Sequence, residues 1–189
     1  MTVPSELERL TVTLLVIRGR AGDVLAFTAL VERFHVRLCG YVGRLLGDPD
    51  VAADVLQDVW IEVYRGLPRL VAPEAFAMWL YRIARNLACQ QLRRRARWVP
   101  LADGPERIAP DDARPSEEEL AGLQLGLERL SAPHRDVLLL HHVCELSYEE
   151  IAELIGCPLG TVRSRLYHAR RALRRAMEET PCPTLDTPR

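Results

Sequence analysis

Three observations predict an all-α protein of two small helical domains joined by a flexible acidic linker. Apolar residues recur at helical spacing through nearly the whole chain, and no segment alternates as a strand would. Capping boxes, in which a serine and a glutamate three residues later satisfy each other's backbone, stand at Ser5-x-x-Glu8, Ser116-x-x-Glu119 and Ser147-x-x-Glu150. Between them, Pro100 to Pro115 holds four prolines and no apolar period.

The elements follow in order. Ser5 opens a short first helix that Gly19 and Gly22 close. Asp23 caps a long helix through Leu46, with Phe27, Leu30, Val31, Phe34 and Leu38 at core spacing. Gly47, Asp48 and Pro49 make a turn, and Asp50 is expected to cap a third helix to about Arg65. Gly66 to Pro73 is a loop with two prolines, followed by a helix from Glu74 to about Arg97 that buries Phe76, Leu80, Ile83 and Leu87. After the linker, helices restart at Ser116, Ser131, Ser147 and Pro158. The expected units are 5–98 and 116–179, with a linker over 99–115 and a disordered tail over 180–189.

The 189 residues carry a formal net charge of -1, which conceals an uneven distribution. Tyr81 to Arg97 holds six arginines and no acid, and so does Leu154 to Met177. Asp103 to Glu119 holds seven acids against two arginines. Every basic residue counted is arginine; codon bias accounts for that more readily than a need for bidentate contacts. No secretory signal opens the chain and no apolar run reaches the ~18 residues of a membrane span, so a cytoplasmic protein without membrane insertion is expected. Five cysteines, none spaced C-x-x-C, read as reduced thiols.

Within the C-terminal unit, Tyr148–Ile155 reads as a short helix, and Gly156-Cys157-Pro158 breaks the chain sharply. The next helix buries Val162, Leu166, Ala169 and Leu173 and presents Arg163, Ser164, Tyr167, Arg171 and Arg174. Two short helices, a glycine turn and a basic second helix describe a helix-turn-helix, whose second helix fits the DNA major groove. In the N-terminal unit, Trp79, Arg82, Asn86, Gln90, Arg93 and Arg97 form one stripe. Trp79 by itself reads as core packing. Interleaved with guanidinium and amide groups, it suits a single strand whose bases stack while phosphates are held. Asp54, Gln57, Asp58 and Glu62 form an acidic face that repels DNA and suits a protein partner.

Specific motifs carry a resemblance. Leu130-Ser131-Ala132-Pro133-His134-Arg135-Asp136-Val137-Leu138, Ser147-Tyr148-Glu149-Glu150-Ile151-Ala152 and Gly160-Thr161-Val162-Arg163-Ser164-Arg165 resemble region four of bacterial sigma factors. Gly22-Asp23…Phe27, Asp54-x-x-Gln57-Asp58-x-Trp60 and Trp79-Leu80-Tyr81-Arg82-Ile83-Ala84-Arg85-Asn86 resemble region two. The two occur in the family's order, and the chain looks most like the short extracytoplasmic-function group. The resemblance implies a non-enzymatic initiation factor without metal or cofactor. Its partners would be core RNA polymerase (largest-subunit clamp helices and flap), promoter DNA and an anti-sigma protein. It assigns the minus-thirty-five element to Thr161, Arg163, Ser164, Tyr167, His168 and Arg171. It assigns the minus-ten element to Trp79, Arg82, Asn86 and Arg93, and polymerase docking to Asp54, Gln57 and Asp58. His168 departs from the family pattern, where an arginine is common.

Two other functions compete. A stand-alone helix-turn-helix regulator would need neither the Asp54 face nor the Trp79–Asn86 stripe. A pure interaction protein would bind an acidic partner and would not support promoter-specific transcription. His141, His142 and Cys144 cluster in sequence, but adjacent histidines on a helix point about 100° apart and rarely share an ion. No phosphate loop, nucleophile elbow or apolar carboxylate pair points to an enzyme.

Overall fold

Local capping sets the helix boundaries in the computed structural model, which describes residues 6–98 and 117–178. The first run holds α1 (Glu6–Arg20), α2 (Val24–Leu46), α3 (Pro49–Gly66), two 3-10 turns (Leu67–Arg69 and Pro73–Ala75) and α4 (Phe76–Trp98). The second holds α5 (Glu117–Glu128), α6 (Ala132–His142), α7 (Tyr148–Ile155) and α8 (Leu159–Glu178). The described residues contain no strand, as the all-α reading expects. The capping boxes at Ser5 and Ser116, the linker over 99–115 and the tail over 180–189 lie outside the described residues or reach into the masked ones.

Asp23 caps α2 by accepting from the Ala26 amide at 3.1 Å, and Gly47 ends it in the left-handed region at φ 71°. The start of α3 differs from expectation. Asp48, not Asp50, is the cap, accepting from the amides of Asp50 and Val51. Pro49 takes the first helical position, where its missing N–H costs nothing, and that choice moves the cap one residue upstream of it. Asp48 also pairs with Arg95 on α4. The Val51 amide and then the Arg95 guanidinium hold its carboxyl below the ordinary range. The expected loop from Gly66 to Pro73 is mostly 3-10 turn, and α4 starts at Phe76 rather than Glu74 because Pro73 opens a 3-10 turn first.

Val16, Leu30, Phe34, Leu38, Val55, Val59, Val63, Phe76 and Leu80 are buried where α1 to α4 meet, and the Phe34 and Phe76 rings pack edge to face at 5.5 Å. Burying each valine of α3 stabilises by about 1.5–3 kcal/mol, which leaves its opposite face free to be polar. Phe27, Val31, Ile83 and Leu87, expected in the core, lie only half-buried at its margin. In the second unit Val162, Leu166 and Ala169 of α8 are buried, and Leu173 is half-buried.

The second unit closes on the first through α6 and α7, which meet α2 and α4. Arg135 and Asp136 of α6 make the join. The Arg135 guanidinium donates to the carbonyls of Leu127 (2.8 Å) and Glu128 (2.8 Å) at the end of α5, and to Leu45 (3.3 Å) at the end of α2. It thereby satisfies carbonyls that two helix ends leave orphaned. Asp136 accepts from the Tyr41 hydroxyl at 2.8 Å and from Arg85 Nε at 2.7 Å.

Candidate nucleic-acid interface

The helix-turn-helix forms as the spacing requires. Ser147 accepts from the Glu150 amide at 3.1 Å while the Glu150 carboxylate accepts from the Ser147 amide at 2.8 Å, a complete capping box. Gly156 ends α7 at φ 73°, a conformation that glycine adopts without Cβ strain. Ile151 and Leu154 of α7 pack with Val162 and Leu166 of α8 in the core. This fixes the second helix with its other face outward.

That outward face carries Arg163, Ser164, Tyr167, His168 and Arg171, all exposed, with Thr161 half-buried at its start. Tyr167 is 62% exposed although tyrosine favours cover, and its ring lies 5.3 Å from that of His168. None of the arginines of α8 forms a salt bridge with a described residue; Arg170 meets only His142, at 3.4 Å. Beside this face lies a cleft of about 480 Å³ lined by Arg129, His134, His168, Arg171 and Arg175 together with Ala172 and Ala176. The sequence reading included His168 and Arg171 but missed His134 and Arg175. Arg175 follows Arg171 by one helical turn, a spacing that was legible. His134 reaches the cleft from α6 and carried no sequence signal.

The stripe on α4 is more constrained. Asn86 and Arg93 are exposed, and Arg93 Nε donates to the Cys89 carbonyl at 3.2 Å. Arg82 is exposed and sits 3.6 Å from the Glu153 carboxylate of α7. Trp79 is half-buried. Its ring covers Gly66 so closely that a Cβ added there would meet it at 2.7 Å, and it lies 6.1 Å from the Phe76 ring. Trp79 thus spends one side of its ring on packing. The side chain of Arg97 lies outside the described ones.

On α3, Asp54, Gln57 and Asp58 are exposed together, opposite buried Val55, Val59 and Val63. Sequence reasoning missed the apolar edge of this face. Ile61 (39%) and Tyr64 (63%) are exposed beside it, and Phe27 packs edge-on against Tyr64 at 5.2 Å and Trp60 at 6.3 Å. Trp60 Nε1 donates to His35 Nδ1 at 3.2 Å, which fixes the tryptophan ring. Acidic groups bordered by an aromatic shelf suit a protein partner that is basic and partly apolar.

The described residues hold no group of three or more potential metal ligands. His141 donates through Nδ1 to the Leu146 carbonyl at 2.9 Å, so its ring is occupied in closing the α6–α7 turn. No described helix is long and apolar enough to cross a membrane.

Comparison with known proteins places these faces in context. Residues 30–98 match the family model described as Sigma-70 region 2, and residues 121–173 match Sigma-70, region 4. The chain is 35% identical over 178 residues to the RNA polymerase sigma-H factor of Pseudomonas aeruginosa, covering 87% of this chain and 92% of that one. It is 36% identical over 180 residues to the ECF RNA polymerase sigma-E factor of Escherichia coli K12, covering 88% and 94% respectively. Among solved structures it resembles the sigma factor RpoE of Bartonella quintana, crystallised with the anti-sigma factor NepR. That match has a TM-score of 0.71 at 26% identity over 84% of this chain and 100% of the other.

Proposed function

Since the chain belongs to the sigma-70 family, in its extracytoplasmic-function group, we propose that three exposed faces divide the work of directing RNA polymerase to a promoter. The Asp54–Gln57–Asp58 face of α3 docks on the clamp helices of the largest polymerase subunit, with Ile61 and Tyr64 adding apolar contact. The face of α8 that carries Arg163, Ser164, Tyr167, His168 and Arg171, with Thr161 at its start, lies in the major groove of the minus-thirty-five element. There an arginine can reach guanine edges through two hydrogen bonds. Arg175, which lines the cleft beside this face, extends its positive surface toward the DNA backbone, and His134 adds a ring nitrogen that can hydrogen-bond to it. The α4 stripe of Trp79, Arg82, Asn86 and Arg93 receives the unpaired minus-ten strand. Asn86 donates and accepts on a base edge, and Arg93 and Arg82 hold phosphates.

The work is binding rather than covalent chemistry. Extruding a base costs a few kcal/mol, so a preformed site for it shifts the duplex toward the open state. An anti-sigma protein is part of the same reading, supported by the complex of the related RpoE with NepR. Cytoplasmic residence follows from a partner that is the polymerase.

The observation that carries the proposal is the pairing of an unneutralised arginine face on α8 with an acidic, apolar-edged face on α3 in one chain. A helix-turn-helix regulator has no use for the second. Run-off transcription with core polymerase on a promoter library tests it: the wild-type chain should start transcription at a defined promoter. Asp54→Arg with Asp58→Arg should abolish core binding and leave the circular dichroism unchanged. Core binding that survives the double substitution places the docking face elsewhere.

A further inference from the structure

We infer that the free chain self-associates through α1, as an antiparallel two-fold pair of helices that buries a seam of Leu7, Leu10, Leu14 and Ile17. The pairing stands apart from the sigma-factor reading above, because none of these residues belongs to the three faces assigned there.

α1 is apolar on two sides. Its inner side carries Val16, which is fully buried, with Val12 and Leu15 half-buried beside it. Gly19 holds that side tight against the first unit: a Cβ there would lie 3.0 Å from Leu67 Cδ2. The helix is therefore not free to roll and bury more. At about 100° per residue, Leu7, Leu10, Leu14 and Ile17 fall within about 80° of one another, on the side away from Val16. Their exposure runs from 49% at Ile17 to 74% at Leu7. Single exposed leucines are normal, but four in one strip mark an interaction surface.

The spacing of the strip narrows the partner. Steps of three, four and three residues are the a and d positions of a heptad, by which two helices pack side chains into each other's gaps. The flanking positions are then Glu6, Thr13 and Arg20 on one edge, and Thr11 and Arg18 on the other. Thr11 and Thr13 donate their hydroxyls to the carbonyls of Leu7 (2.8 Å) and Arg9 (3.0 Å), one turn back. Both threonines are thus satisfied within their own helix and can meet a partner without losing a hydrogen bond. Arg18 pairs with Asp23 at 2.6 Å, and Glu8 with Arg33 at 3.4 Å. Glu6 and Arg20 form no ion pair with a described residue, and they stand at opposite ends of one edge.

A second copy of α1 fits both the seam and its ends. Run antiparallel about a two-fold axis, Leu7 lies against the second copy's Ile17, and Leu10 against its Leu14. Glu6 then faces the second copy's Arg20, and symmetry repeats that pair at the other end. The same direction opposes the two helix dipoles favourably. A parallel pair would set Glu6 beside Thr11 and Thr13 beside Arg18, which brings no opposite charges together. The 15 residues of α1 make a helix about 22 Å long. That is short for a permanent interface, so the chains pair and part with concentration.

Sedimentation equilibrium of the full chain, without DNA or polymerase, tests the pairing. The wild-type weight-average mass should rise with concentration from 21.4 kDa toward twice that value. Leu14→Glu sets a charge against the second copy's Leu10 and should hold the mass at one chain. Position 14 is exposed in the single chain, so circular dichroism and melting should not change. Glu6→Arg and Arg20→Glu each set like charges at both ends of the seam and should weaken association about 2–30-fold. Mixing these two chains in equal amounts makes both end pairs opposite again, and the mixture should associate as tightly as wild type. A folding defect would not be repaired by mixing. A wild-type chain that stays monomeric up to about 1 mM overturns the pairing, and so does a Leu14→Glu chain that still associates. Monomeric wild type with a lower melting temperature for Leu14→Glu overturns it too, by showing that the chain's own residues cover the seam. A mixture no tighter than either variant alone overturns the antiparallel direction.

Discussion

The helices α4 and α8 look alike in sequence and differ in what their arginines do. Each overlaps a stretch with six arginines and no acid, Tyr81–Arg97 in α4 and Leu154–Met177 in α8. In α4, three of these charges are answered by acids distant in the chain: Arg95 by Asp48, Arg85 by Asp136 and Arg82 by Glu153. In α8 no arginine has an acidic partner among the described residues. Local charge density therefore says little about the field a helix presents. A helix whose arginines point into the fold uses them to position its neighbours. One whose arginines point away keeps them for a ligand of opposite charge. The α4 stripe is left with Asn86, Gln90 and Arg93 as exposed groups without an acidic partner among the described residues, and Arg82 becomes fully available only when Glu153 moves off.

The sharpest way to break this comparison is the same substitution in both helices. Arg85→Met strands the Asp136 carboxylate in the closed join, a cost of about 3–5 kcal/mol to that state when one partner of a buried pair is removed. The chain can escape by opening, which hydrates Asp136, so the thermal midpoint should fall by less than that figure implies. The loss should appear instead as faster amide hydrogen exchange along α6 and a more extended small-angle X-ray scattering curve. Arg171→Met touches an exposed group, should change stability by no more than about 0.5 kcal/mol, and should weaken DNA binding. Equal stability effects at the two sites would erase the distinction.

A second substitution asks what the free arginines of α8 are free for. Arg163→Ala should cost about 1–3 kcal/mol on a cognate minus-thirty-five element if the side chain reads a base. A phosphate contact would instead weaken all sequences alike and reduce the salt slope by about one. Binding to a randomised upstream library decides between them, and uniform weakening removes Arg163 from base recognition.

How much of this was legible in the sequence follows the range of the interactions. The helix-turn-helix was readable because its signals are local: Ser147 with Glu150, Gly156 before Pro158, and apolar residues one turn apart. The start of α3 was misplaced by local ambiguity, since aspartates flank Pro49 on both sides and only the proline's preference for the first helical position selects Asp48. The faces on α3 and α8 were readable because helical period fixes which residues share a side. Their flanks were not, because Phe27 and His134 arrive from other helices. The join between the two units was invisible. Asp136 stands 95 residues from Tyr41 and 51 from Arg85, and nothing near it in sequence marks it as buried. For the same reason α4 read as a bare basic stripe.

The smallest expected effect concerns Glu145, where the cost of local backbone strain and the gain of a long-range contact meet in one residue. Glu145 sits at φ 58°, in the left-handed region, where a non-glycine residue costs of order 1 kcal/mol or more. Its carboxylate reaches Arg37 of α2 at 2.8 Å, but both side chains are more than two-fifths exposed, and a pair so placed contributes about 0–1 kcal/mol. Glu145→Gly removes the strain and the pair together. Thermal stability of the second unit should therefore hold or rise slightly, by up to about 1 kcal/mol, while the closed fraction seen by scattering falls. Glu145→Ala removes the pair and keeps the strain, so both quantities should fall. The two variants differ in backbone freedom in both states, so the gap between their melting curves is the strain relieved less the extra unfolded-state entropy of glycine, about 0.4–1 kcal/mol. Should Glu145→Gly melt as low as Glu145→Ala, the strain of the left-handed turn is no larger than the entropy cost of glycine, about 0.4–1 kcal/mol.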